Sequence, residues 1–195
     1  MNLINRVKNI LLTPKTEWNV IAGETATMGS LLTSYVLPLA LIPAVVSILN
    51  GLLWTRMWGM KYVIITACIA FISAILSYIL TTYVVDLLAP NFQSKKDLGS
   101  SAQLVAYSAT ANWVASILGL IPLVFIGWLG ILAGAVYSIY LMYLGIGPVK
   151  KTPEDQRVIY IVIVILVLIV TSVVITWILG AMLLAGIVTT GRLTY

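Results

Sequence analysis

Long runs of apolar residues follow one another along the chain, separated by short segments that hold most of the charge. The runs lie near residues 31–53, 62–88, 104–126, 128–147 and 158–179. About twenty apolar residues are needed to cross the hydrocarbon layer as a helix, and inside lipid a lone segment pairs its backbone groups only as a helix. The pattern therefore predicts an all-α, polytopic membrane helix bundle of about five transmembrane helices.

The first thirty residues follow a different pattern, which predicts short amphipathic helices. One helical stripe carries Leu3, Ile4, Val7, Ile10 and Leu11, and such a stripe is typical of a helix that lies in the membrane interface. Thr13 and Pro14 are suited to begin a second short helix, in which Trp18 could enter the head groups. We expect residues 1–30 to form cytoplasmic interfacial helices, serving as an anchor or as a docking surface, and residues 31–195 to form the five-span transmembrane domain.

Prolines and small residues predict local features of the spans. Pro38 and Pro43 predict a kink or a broken helix in the first span, and Gly180 is expected to end or bend the fifth. Small residues recur at every fourth position in the third and fourth runs, which allows helix backbones to approach closely. These small residues are Ala111, Ala115 and Gly119 in the third run, and Gly130 and Gly134 in the fourth.

Composition supports the membrane assignment and excludes several kinds of chemistry. The chain is 61% hydrophobic and 9% charged, whereas soluble domains carry about 25% charged residues. It has no histidine and one cysteine, Cys68, so disulfides, Cys/His metal sites and histidine-based catalytic triads are excluded. We expect no metal, no cofactor and no enzymatic activity.

The distribution of basic residues predicts the orientation of the bundle. One side of the predicted bundle holds Arg6, Lys8, Lys15, Lys95, Lys96, Lys150, Lys151 and Arg157, and the other holds Arg56, Lys61 and Arg192. The positive-inside rule places the N-terminus in the cytoplasm and the C-terminus outside. The net charge of +5 therefore reflects loops that meet lipid head groups, and we expect no nucleic acid partner. The predicted interfacial anchors are Trp18, Trp54, Trp58, Trp128 and Trp177.

Asp86 is the acidic residue that lies inside an apolar run, and it is the centre of a candidate polar pocket. In one interpretation Lys95, Lys96 or interfacial water compensates its charge. In the other, Asp86 is a buried acid hydrogen-bonded to Tyr107 or Asn112, in a pocket open to the cytoplasm. The full candidate pocket comprises Tyr83, Asp86, Gln103, Tyr107, Ser108, Asn112 and Tyr140.

Several segments resemble the bacterial branch of the Yip family, the Ypt/Rab-interacting five-span membrane proteins. They are LLTPKTEW (Leu11 to Trp18), DLLAPNF (Asp86 to Phe92), AYSATANW (Ala106 to Trp113), YLMYLGI (Tyr140 to Ile146) and KTPED (Lys151 to Asp155). The resemblance implies a five-span fold in a bacterial inner, or cytoplasmic, membrane. Eukaryotic relatives are linked to Rab-type GTPases and vesicle traffic, and we do not expect that role here.

Two functions are compatible with these features. The first hypothesis is a non-enzymatic integral membrane protein that acts as an adaptor or membrane organiser through its cytoplasmic face. Its partners would be membrane lipids and a cytoplasmic or membrane protein, and a homo-oligomer is possible. The alternative is a small-solute or ion transporter or channel that uses the polar pocket around Asp86.

Overall fold

The computed structural model describes residues 2–54, 59–121 and 123–191. Two short helices, α1 (Leu3–Leu12) and α2 (Pro14–Ala22), precede the bundle, and we call them the N-terminal hairpin. The bundle consists of α3 (Met28–Leu31), α4 (Leu37–Trp54), α5 (Gly59–Leu88), α6 (Leu98–Ala115), α7 (Val124–Lys150) and α8 (Glu154–Gly191). A π-helical turn (Leu32–Val36) joins α3 to α4, and 3₁₀ turns (Ala89–Phe92 and Ser116–Leu120) follow α5 and α6.

The prediction of an all-α membrane bundle is confirmed, since the described part of the chain has no strand and its helices α4, α5, α7 and α8 are apolar. Among the described residues, four helical segments are long and apolar enough to cross a membrane: Met28–Leu53, Gly59–Phe92, Gly127–Lys150 and Glu154–Ile175. The two ends of the bundle differ in polarity. The polar end is formed by residues 93–97 and 150–157, and the apolar end by residues 116–121 and 123–124.

The third predicted span is wrong in its bounds, because α6 begins earlier and ends earlier than residues 104–126. It runs from Leu98 to Ala115, and a 3₁₀ turn follows it. Helix α6 is polar for a membrane helix, yet every residue from 100 to 108 is buried. With its 3₁₀ turn it extends roughly 37 Å, compared with about 30 Å of hydrocarbon. Helix α6 is thus a central helix, which the other helices cover and which needs no apolar outer face.

The predicted irregularity in the first span lies in the π-helical turn before Pro38. A proline inside a helix has no N–H to donate, and its ring clashes with the carbonyl four residues earlier, here that of Ser34. The wider π turn between Leu32 and Val36 is a known local solution to such a conflict. It also places Tyr35 in the interior, where its hydroxyl is 2.7 Å from the Thr110 hydroxyl.

The close approach of α6 and α7 through small residues is confirmed. A Cβ atom added to Gly134 would lie 2.4 Å from the Cβ of Ala115, and one added to Gly130 would lie 2.7 Å from the Cβ of Leu118. Neither position has room for a side chain without displacing the neighbouring helix. By contrast, Gly180 does not end the fifth helix, because α8 continues to Gly191, and a bend at Gly180 stays a prediction.

The N-terminal hairpin packs into the bundle, so the prediction that it lies on the membrane surface is wrong for its inner face. Ile10, Trp18 and Ile21 are fully buried and belong to the same core as Leu104 and Leu141. The predicted apolar stripe is divided, since Ile4 is 72% exposed. Hydropathy shows only that a helix has an apolar face, and here the bundle covers part of that face in place of lipid.

Two contacts fix the position of the N-terminal hairpin along the bundle. The Tyr137 hydroxyl donates to the carbonyl oxygen of Leu11 at 2.7 Å, which holds the tip of the hairpin near the middle of α7. The indole of Trp18 lies against Gly145 and is fully buried. Trp18 is therefore a core residue of the protein, and its predicted role as an interfacial anchor is wrong.

We expect Gly145→Ala to destabilise the protein by about 1–3 kcal/mol, the usual effect of overpacking a core. The added Cβ would lie 2.6 Å from Cε2 of Trp18, so the N-terminal hairpin must shift away from α7. The free energy of unfolding from denaturation in mixed micelles measures the effect. Gly29→Ala is the control, since nothing lies within 4 Å of its added Cβ. An equal result for both variants would contradict the predicted contact.

Candidate functional site

Asp86 lies in a polar cluster at the polar end, together with side chains of α6 and α7. Its Oδ1 accepts a hydrogen bond from the Ser101 hydroxyl at 3.0 Å and lies 3.6 Å from Nζ of Lys150. The Lys150 ammonium donates to Ser101 Oγ at 2.6 Å, and its side chain is fully buried. We call these three residues the Asp86–Lys150 cluster, and its charges compensate each other within the protein.

Two loops hold the Asp86–Lys150 cluster in place. The backbone N–H of Lys95 donates to the carbonyl of Lys150 at 2.8 Å, and the hydroxyls of Ser94 and Thr152 are 2.8 Å apart. Lys151 ends α7 in the left-handed conformation, with φ of 55°. The DLLAPNF and KTPED segments thus precede or form loops that bind each other, which explains why lysine 150 reaches the end of α5.

Neither sequence-based interpretation named the partners of Asp86 that the structure shows. Lys95 instead pairs with Asp97, its Nζ lying 3.0 Å from Oδ2. This hydrogen bond from Lys95 lowers the pKa of the Asp97 carboxyl. Asp97 also caps the first turn of α6, because Oδ1 accepts from the N–H of Gly99. The sequence does not distinguish Lys150 as a partner of Asp86, because Lys150 ends an apolar run and looks like the neighbouring loop cations.

A second polar cluster, which we call the Arg6 cluster, joins the N-terminal hairpin to α6. Arg6 is buried, and its guanidinium contacts Glu17 Oε1 and Glu24 Oε1, each at 2.5 Å. Burial opposes the charge of Arg6, but its hydrogen bond to Glu24 and the surrounding negative charge outweigh burial, so its pKa is raised. Asn9 donates to Glu17 Oε2 at 3.1 Å. An arginine at a polar position of an amphipathic pattern is therefore the centre of a buried network.

Gln103 and Tyr107 of the candidate pocket belong to the Arg6 cluster and not to the surroundings of Asp86. The Gln103 amide donates to the carbonyls of Ile21 and Glu24 at 3.3 and 3.0 Å. The ring of Tyr107 lies under Arg6, with 5.2 Å between the guanidinium carbon and the ring centroid, a cation–π arrangement. Both residues thus hold the N-terminal hairpin against α6.

The remaining residues of the candidate pocket do not complete a common site. Tyr83 and Tyr140 are 48% and 41% exposed on the outside of the bundle. Asn112 is exposed, and its backbone N–H donates to Ser138 Oγ at 3.1 Å. The Ser108 hydroxyl is buried without a hydrogen-bond partner among the described residues. The structure therefore divides the predicted pocket between two clusters and the outer surface.

The predicted interfacial tryptophans have different surroundings. Trp128 and Trp177 are 71% and 79% exposed, which suits side chains that meet lipid, and their role as anchors stays a prediction. The side chain of Trp54 and the whole of Trp58 lie outside the described residues. Within the described part of the chain, no group of three or more His, Cys, Asp or Glu side chains is placed to hold a metal ion.

A family model described as the Yip1 domain matches residues 8–176, which is most of the chain. The protein belongs to the Yip1 domain family. The Yip1 domain match begins in α1 and ends in α8, and it includes the whole Asp86–Lys150 cluster and the partners of Arg6, but not Arg6 itself. The predicted family is thereby confirmed. No curated protein and no solved structure matches the chain.

Proposed function

We propose that this Yip1 domain protein is a non-enzymatic adaptor or organiser in the membrane, and that its polar end faces the cytoplasm. The observation that carries the proposal is the internal pairing of Asp86. Ser101 and the fully buried Lys150 compensate this carboxylate, so it supports the packing of three helices. Intramembrane acids that serve ion or proton paths usually face a cavity or a water-filled route. Because Asp86 instead pairs with Ser101 and Lys150, it supports the transporter alternative less well.

The exposed charge of the polar end and of the N-terminal hairpin is the surface that a partner would meet. Its exposed side chains are Lys8, Lys15, Lys95, Lys96, Lys151, Glu154 and Asp155. We call this set the basic face, since its cations outnumber its anions. The Arg6 cluster and the paired loops hold the basic face on a rigid support, which lowers the ordering cost of binding a partner. A protein with an acidic surface, bound next to anionic head groups, fits this charge.

The test is reversal of charge on the basic face of the full-length protein in its native membrane. We expect Lys8→Glu combined with Lys95→Glu to remove a partner that is crosslinked to the wild type and recovered with it. Lys61→Glu is the matched control, because Lys61 is also exposed but lies on α5 toward the apolar end. Deletion of the N-terminal hairpin is unsuitable, since it would remove Trp18 from the core.

Retention of the same partner by the double variant would contradict the adaptor proposal. Solute uptake into vesicles that contain the purified protein, if abolished by Asp86→Asn, would also contradict it and favour the transporter. Loss of the partner from both the double variant and the Lys61→Glu control would show a general effect of charge, and the basic face would then not be the binding surface.

A further inference from the structure

A cavity of about 640 Å³ opens at the apolar end, on the opposite side of the bundle from both polar clusters. It lies between α4, α5, α7 and the 3₁₀ turn that follows α6, where α6 stops and leaves space between its neighbours. Its volume is within the range of about 300–1,000 Å³ that small-ligand sites occupy. Glycines 51, 119 and 127 line it, and the lack of side chains at Gly119 and Gly127 helps to keep it open.

The lining of this cavity is apolar with a few uncharged polar groups. The polar side chains include Ser47, Asn50, Thr66 and Ser116, and none of the lining residues that the structure describes is charged. Thr66 and Ser116 already donate to backbone carbonyls of their own helices. The amide of Asn50 has no hydrogen-bond partner among the described residues, so its N–H groups are available to a ligand.

The depth of the cavity residues along their helices indicates that the cavity opens to lipid. Asn50 lies about 6 Å inside the end of α4, and Ser47 lies about 10 Å inside it. This is the depth of the ester groups and upper acyl chains if helix ends mark the membrane interface. At the rim of the cavity, Trp128 is 71% exposed and Ile131 is 50% exposed. These large apolar side chains suit contact with lipid and not with water.

We propose that the cavity binds one acyl chain of a membrane glycerophospholipid, with an ester carbonyl accepting a hydrogen bond from the Asn50 amide. Because the described lining residues carry no charge, the phosphate stays outside, at the interface, and the apolar walls take the chain. The acyl chain enters laterally from the bilayer, past Trp128 and Ile131. This site is independent of the basic face, and the two proposals can fail separately.

The test uses the full-length protein in phosphatidylcholine nanodiscs that contain a phosphatidylcholine with a diazirine in its sn-2 chain. After illumination, we expect peptide mass spectrometry to find the label concentrated on cavity residues such as Thr66 and Ile131. Asn50→Leu should weaken binding about fivefold in competition with unlabelled lipid, as expected for one lost hydrogen bond. Ser47→Phe should fill the cavity and reduce its labelling to that of outward-facing positions.

Ile48→Phe is the matched control, since Ile48 is exposed on the next position of α4 and does not line the cavity. Thermal unfolding checks that each variant is folded. If Ser47→Phe does not fold, the competition measurement with Asn50→Leu still tests the proposal. Uniform labelling of all lipid-facing residues would overturn the proposal. Binding by Asn50→Leu that equals that of the wild type in the competition with unlabelled lipid would also overturn it. Displacement of the labelled phospholipid by an equal amount of free palmitate would assign the site to a fatty acid and also overturn it.

Discussion

Replacing Lys150 by methionine is expected to lower the free energy of unfolding by about 3–5 kcal/mol, the usual result of removing one partner from a buried ion pair. The Lys150 side chain is fully buried, and that of Asp86 is 14% exposed. Without the ammonium group, the Asp86 carboxylate keeps only the Ser101 hydroxyl among the contacts described above. The free energy of unfolding, measured by denaturation in mixed micelles, checks this expectation.

Two further variants separate loss of the ion pair from loss of packing. Asp86→Asn combined with Lys150→Met should recover most of the lost stability, because it removes the uncompensated charge together with its partner. Lys96→Met should change stability by less than about 0.5 kcal/mol, since Lys96 is exposed. If the double variant were no more stable than Lys150→Met alone, the charge pairing would not be the reason for the destabilisation.

Replacing Arg6 by methionine is the second change with a large expected effect, again about 3–5 kcal/mol. The variant leaves Glu17 buried, with a side chain only 6% exposed, and it removes the cation over Tyr107. We expect the N-terminal hairpin to separate from α6 before the bundle unfolds. Hydrogen exchange of residues 3–22 should therefore become much faster, while exchange in the centre of α7 changes little.

Lys8→Met is the matched control for Arg6→Met, because Lys8 is on the same helix but exposed. Its hydrogen exchange in the N-terminal hairpin should equal that of the wild type. Arg6→Met combined with Glu17→Gln should slow exchange again relative to the single variant. Rapid exchange in the N-terminal hairpin of the wild type itself would show that the Arg6 cluster does not hold it.

The sequence predicts features of this fold that depend on local periodicity and on the properties of lipid. The apolar runs locate the long helices, and small residues such as Gly134 identify the contact between α6 and α7. It does not predict which surface covers an amphipathic face, and Trp18 shows this limit. A buried indole and an interfacial one follow the same spacing, because lipid and an apolar protein surface are similar surroundings for a side chain.

The candidate site was less predictable, because its contacts join residues far apart in the chain. Asp86 was recognised as unusual from its apolar neighbours, yet its partner Lys150 lies on another helix. Arg6 appeared as one of several surface cations, since a sequence does not show that Glu17 and Glu24 surround it. The cavity near Asn50 depends on where α6 stops, and apolar residues continue through that point without a signal.

The polarity of α6 has a consequence for how the protein is made. A segment so rich in serine, alanine and hydroxyl groups partitions poorly from the translocon into bare lipid. Its burial depends on helices on both sides, and α7 is synthesised after it. We therefore expect α6 to stay in or near the insertion channel until α7 emerges, so that the two enter the bilayer as a paired unit.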